Sequence, residues 1–117
     1  AVDLPGTPLL VAGIANPEPL LVHLKKQYPK THLLAFNDHH VFNKKDVQMI
    51  LDNADHYACV VTTEKDYMRM LHTPLIDKLA EKLIVLPMQT DLGVDKEMFD
   101  RAVLLYVDEN VRKLKHS

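Results

Sequence analysis

The amino-acid sequence predicts an α/β fold, a three-layer αβα sandwich around a mostly parallel sheet of about four strands. Four short runs rich in Val, Ile and Leu, at 9–14, 32–36, 58–62 and 83–87, are continuous rather than alternating, the pattern of parallel strands covered on both faces. Segments of helical character separate these runs, as right-handed crossovers between parallel strands require. The chain has 117 residues, 47% hydrophobic and 26% charged, which is the size and balance of one globular domain able to bury its own core.

The elements follow in order. After the first run, Asn16-Pro17-Glu18 offers a side-chain cap, a proline at the first helical position and an acid at the positive end of the dipole, so a helix is expected from there to about Tyr28. Asn43-Lys44-Lys45-Asp46 and Thr63-Glu64-Lys65-Asp66 each set a capping residue three before an acid, and Thr73-Pro74 repeats the cap-then-proline signal. Helices are expected to begin at all three. Beyond the fourth run, Thr90-Asp91-Leu92-Gly93 reads as a loop. From Asp95 onward, Met98, Ala102, Leu105 and Val111 fall roughly at helical spacing and predict a long terminal helix ending in a basic turn. Residues 1–7, punctuated by Pro5 and Gly6 and opening without methionine, read as the remnant of an interdomain linker. Residues 8–117 then form one α/β domain.

Charge and cysteine usage narrow the function classes. Fourteen basic and sixteen acidic side chains leave a formal charge of -2, which supplies no net electrostatic reason to bind nucleic acid. The one cysteine, Cys59, sits inside an apolar run and reads as a small buried hydrophobe in a reducing compartment. No apolar stretch approaches the roughly 20 residues needed to span a bilayer, and the start lacks a signal peptide, so this chain is expected to be soluble by itself. His23, His32, His56, His72 and His116 are isolated and read as surface or packing residues. Met49, Met68, Met70, Met88 and Met98 form no compact motif and read as core filling.

The chemistry concentrates where strands end. Only Gly6, Gly13 and Gly93 occur, so neither GxxxxGK[ST] nor GxGxxG can be written in this chain. Gly13-Ile14-Ala15-Asn16 closes the first strand at a helix start, where free amides can meet an anion or simply form a turn. Asp38-His39-His40 follows the second strand, and Thr62-Thr63-Glu64-Lys65-Asp66 follows the third. In a parallel sheet all three turns share one rim, the rim where ligands gather. An imidazole there can act as a general base, bond a phosphate or orient a carboxylate; alternatively one histidine packs while its neighbour is solvated. Adjacent residues of an extended segment point opposite ways, so His39 and His40 chelate one metal poorly unless a turn redirects them. Thr63 and Asp66 also suit mutual helix capping, while Lys65, near a helix start, suits phosphate.

Taken together and in this order, LLVAGIANPEPLLVHL, LLAFNDHHVF and VVTTEKDYMRM resemble the C-terminal part of the tetraacyldisaccharide 4'-kinases of lipid A biosynthesis, over about residues 8–72. The resemblance implies the C-terminal lobe of a P-loop-like kinase. Such enzymes transfer the γ-phosphate of ATP, with Mg2+, to the 4' hydroxyl of tetraacyldisaccharide 1-phosphate, forming lipid IVA at the cytoplasmic face of the bacterial inner membrane. It further implies that ATP and Mg2+ are held mainly by an N-terminal P-loop domain outside this chain, the lobe's partner. Membrane contact is likewise expected outside it, and the lobe alone is expected to be inactive. The family pattern places His39 beside a catalytic aspartate of the other domain, with Asp38 fixing the turn. Gly13, Asn16, His40, Thr63, Glu64, Lys65 and Asp66 are expected to line the substrate or nucleotide cleft, with no metal ligand in this lobe.

Two other readings compete. A DHH-type metal-dependent phosphoesterase also places Asp-His-His after a strand, but it needs further aspartates at neighbouring strand ends. Here the first strand leads into Gly13-Ile14-Ala15-Asn16 and the third into Thr62-Thr63-Glu64. A non-catalytic α/β binding module would use the same turns to contact a partner protein.

Overall fold

The computed structural model describes residues 4–86. Four parallel strands, β1 (Pro8–Ala12), β2 (His32–Ala35), β3 (Cys59–Thr63) and β4 (Leu83–Leu86), form one sheet in the order β2-β1-β3-β4. Between them run α1 (Glu18–Gln27), α2 (Lys44–Ala54), α3 (Glu64–Met70) and α4 (Ile76–Ala80). The expected architecture is present, and the helix and basic tail predicted after Asp95 lie outside the described residues.

Alternation along the strands divides the core into two layers. Leu10, Cys59, Val61, Ile84 and Leu86 pack with Leu20 and Leu24 of α1 on one face. Leu9, Val11, Val60 and Leu83 pack with Val47, Ile50, Met70, Ile76 and Leu79 from α2, α3 and α4 on the other. This is why β1 and β3 read as continuous apolar runs: every residue of both strands is buried. Leu4, within the stretch expected to be a linker, is also buried, and its amide donates to the Tyr28 hydroxyl at 2.7 Å.

The helix starts follow local chemistry with two exceptions. Asn43 and Asp46 form a reciprocal capping box at α2, and the Thr63 hydroxyl accepts from the Asp66 amide at α3. At α1, however, Pro17 rather than Asn16 is the N-cap, and there is no side-chain cap bond. Thr73 does not cap α4. Its hydroxyl donates to the Met70 carbonyl at 2.7 Å, closing the end of α3, and α4 starts at Ile76. The methionine expectation holds only in part: Met70 is fully buried, whereas Met49 and Met68 are exposed. Met88 and Met98 lie outside the described residues. Cys59 is buried as expected.

Strand order also locates the rim that matters. β1 connects outward to β2, while β3 returns to the opposite side of β1, so the winding direction reverses between β1 and β3. Ligands of open α/β sheets bind beyond the carboxyl ends of strands at such a reversal.

Candidate functional site

At the reversal, the turn after β1 meets the start of α3. The Gly13 amide donates to Asp66 Oδ2 at 3.0 Å, and the Thr63 hydroxyl donates to the same oxygen at 2.8 Å. Asp66 is completely buried. It therefore does more than cap its own helix; it ties the end of β1 to the end of β3. Gly13 is required there by space: a Cβ on it would lie 3.1 Å from Asp66 Oδ1 and 3.2 Å from the Asn37 carbonyl oxygen. The first and second strand-end turns thus approach too closely for a side chain.

Asp66 Oδ1 is buried without a hydrogen bond, but the Arg69 guanidinium lies 3.7 Å away, one turn further along α3. From there Arg69 Nη1 donates to the Gly13 carbonyl at 3.4 Å and Nη2 donates to His39 Nδ1 at 3.2 Å. One side chain thus joins all three turns. Sequence reasoning did not single out Arg69. Its signal was the i, i+3 spacing from Asp66, which puts both residues on one face of α3.

His39 and His40 are adjacent in sequence and separate in role. His39 has φ 62°, the left-handed region, which a histidine visits more readily than a β-branched residue. Its side chain is 77% exposed, and Nε2 lies 3.4 Å from Asp38 Oδ2. A guanidinium only donates, so Nδ1 is an acceptor and the neutral ring carries its proton on Nε2. His40 turns the other way. Its ring packs against Phe36 and Phe42, at centroid distances of 4.9 Å, and Nε2 donates to Asp46 Oδ2 at 2.8 Å.

Asp46 serves the His40 bond and the α2 cap with the same oxygen, which also accepts from the Asn43 amide at 3.0 Å. Burial, the largest single influence on its carboxyl, raises the pKa. The His40 hydrogen bond, the Asn43 amide and the charge of protonated His40 act against burial and together hold it below the ordinary aspartate value. Asn16, Glu64 and Lys65, also expected in the cleft, are exposed at the starts of α1 and α3.

The donor set speaks to what these residues can hold. The two imidazoles are aimed at different partners, Arg69 and Asp46. Among the described residues there is no group of three His, Cys, Asp or Glu side chains that could hold a metal ion. The buried carboxylate faces a guanidinium and donors of its own chain, so it does not fit the role of a Mg2+ ligand. With no phosphate loop in the sequence either, these residues do not fit a resident Mg2+ and ATP site.

Residues 2–107 match the family described as tetraacyldisaccharide-1-P 4'-kinase. The chain belongs to this family. Similar proteins include the tetraacyldisaccharide 4'-kinases of Bacteroides thetaiotaomicron, 35% identical over 115 residues, and of Flavobacterium johnsoniae, 36% identical over 103. The alignments cover 93% and 88% of this chain, respectively, but 30% and 28% of those proteins. The corresponding kinase of Phocaeicola vulgatus is 33% identical over 115 residues, 93% of this chain and 31% of its own length. The chain therefore spans about a third of the curated relatives it matches. No solved structure matches it significantly. The tetraacyldisaccharide-1-P 4'-kinase match runs well past His72, where the recognisable motifs stop. No helix among the described residues is long and apolar enough to cross a membrane.

Proposed function

We propose that this chain is the C-terminal lobe of an ATP-dependent kinase that phosphorylates the 4' hydroxyl of tetraacyldisaccharide 1-phosphate, yielding lipid IVA. The catalytic centre then lies between this lobe and an N-terminal P-loop domain that binds ATP and Mg2+, at the cytoplasmic face of the inner membrane. The observation that carries the reading is the placement of His39: exposed, in left-handed backbone, and held by Arg69 at the rim where the sheet reverses its winding.

Bound ATP with its Mg2+ supplies the phosphoryl group and most of the charge neutralisation in such a transfer. What this chain supplies is position. With Nδ1 accepting from Arg69, His39 offers the Nε2 proton outward, and a carboxylate facing it across the cleft is thereby oriented to accept the proton of the attacking 4' hydroxyl. Asp38 stands beside Nε2 and steadies the turn. Gly13, Thr63 and Asp66 form the floor under the site, while Asn16, Glu64, Lys65 and the rim edge of His40 are the residues left to meet substrate or nucleotide.

The test starts from the coding sequence. A GxxxxGK[ST] loop encoded upstream of Ala1 supports the two-domain kinase, and a start codon within a few residues of Ala1 overturns it, leaving a binding module as the reading. The full-length product is then assayed for ATP-dependent phosphorylation of the lipid disaccharide. Stoichiometric manganese binding with phosphodiesterase activity instead would assign the chain to the DHH class.

A further inference from the structure

We propose that Arg69 is a positioning residue for His39 in phosphoryl transfer, an inference that rests on the kinase reading above. Three geometric facts carry it. His39 stands on an exposed turn with positive φ, beyond the last residue of β2, so no ladder hydrogen bond fixes it. The Arg69 side chain, only 25% exposed against 77% for His39, is the better anchored partner of the pair. Arg69 is itself set by the Gly13 carbonyl and by the fully buried carboxylate of Asp66. Order thus passes outward from the buried floor through Arg69 to the imidazole.

The consequence is chemical as well as steric. Because a guanidinium cannot accept a hydrogen bond, its contact at Nδ1 selects the tautomer with hydrogen on Nε2. That is the tautomer in which His39 can donate to a carboxylate across a cleft; Asp38 takes the contact here. Without Arg69, Nδ1 is open to water, both tautomers become available, and the ring swings on an unsupported turn. Arg69 touches neither phosphate nor hydroxyl in this scheme and acts only through His39.

A double-mutant cycle in the full-length kinase tests this. With lipid disaccharide and ATP as substrates, Arg69→Met is expected to lower kcat about ten- to a hundredfold, with the KM for ATP changed less than about twofold because the nucleotide sits on the other domain. In the His39→Ala background the same substitution is expected to change kcat by less than about twofold, since the residue it positions is gone. An equal loss in both backgrounds, or no loss in the parent, overturns the proposal. Should Arg69→Met fail to fold, Arg69→Leu, which keeps an apolar stem and carries no donor for His39 Nδ1, decides by the same comparison: a loss confined to the His39 background supports positioning, and an equal or absent loss refutes it. A His39→Ala enzyme with parental turnover would instead remove the role of His39 on which the inference stands, whereas a full-length parent that does not phosphorylate the disaccharide removes the kinase reading itself.

Discussion

His40 Nε2 donates to Asp46 Oδ2 at 2.8 Å, and through this bond the histidine pair is pinned to the first turn of α2. The same oxygen closes the capping box with the Asn43 amide. One carboxylate thereby sets both where α2 begins and where the Asp38-His39-His40 turn sits.

That arrangement predicts an acid dependence with a definite sign. The folded pKa of Asp46 lies below its unfolded value, so the charged carboxyl stabilises the native state fully above the unfolded value of about 3.9, and this contribution is lost as pH falls through the lower folded value. Asp46→Ala is expected to cost about 1–2 kcal/mol at neutral pH through the cap and the His40 bond. Urea denaturation of parent and variant from pH 7 to pH 2.5 should show that difference shrinking only at the acid end. A difference that stays constant throughout would remove the carboxylate from the account.

The two histidines should separate stability from turnover. His40→Ala removes a ring packed against Phe36 and Phe42 and leaves Asp46 with the Asn43 amide but no histidine, so the melting temperature should fall while kcat in the full-length enzyme changes modestly. His39→Gly should do the reverse. Glycine accepts φ 62° without steric cost, so stability should stay within about 1 kcal/mol of the parent, yet turnover should drop about a hundredfold or more. Equal losses of turnover from both variants, each still folded, would contradict the division of roles.

How much of this was legible beforehand depends on the range of each interaction. The capping box at α2 lies within four residues and could be read directly, as could the apolar runs that became β1 and β3. Thr63 and Asp66 also looked like a local cap, and the threonine half of that is present. The tertiary half was invisible. Asp66 meets Gly13 fifty-three positions away, and Arg69 meets His39 thirty positions away, pairings that exist only because strand order places β3 beside β1. Thr73-Pro74 misled for the opposite reason: the nearer Met70 carbonyl captured the hydroxyl that would have capped α4.

Gly13 offers a test of the close approach between turns. Gly13→Ala places a methyl 3.1 Å from Asp66 Oδ1, 3.2 Å from the Asn37 carbonyl and 3.4 Å from Phe36 Cβ. Two of these neighbours are a buried carboxylate and backbone, neither free to retreat, so the substitution should cost about 1–3 kcal/mol. Thermal melting of the full-length variant measures it. Because the strain falls on the floor under Arg69 and His39, turnover below the melting transition should fall as well, and a variant with parental stability would show that the turns can part without penalty.

Cys59 supplies a probe of the whole sheet rather than of the rim. Its thiol is 3% exposed between the strands and α1, and burial pushes its pKa up to about 12, so the reactive thiolate is essentially absent at neutral pH. Alkylation with iodoacetamide at pH 8, followed by peptide mass analysis, should leave Cys59 unmodified in the native protein and modify it fully in denaturant. The position reports opening of β3 and its neighbours because the thiol packs against the α1 face of the core. The rate of labelling at low denaturant should therefore track global unfolding. Rapid labelling under native conditions would mean that α1 lifts from the sheet independently of the rest.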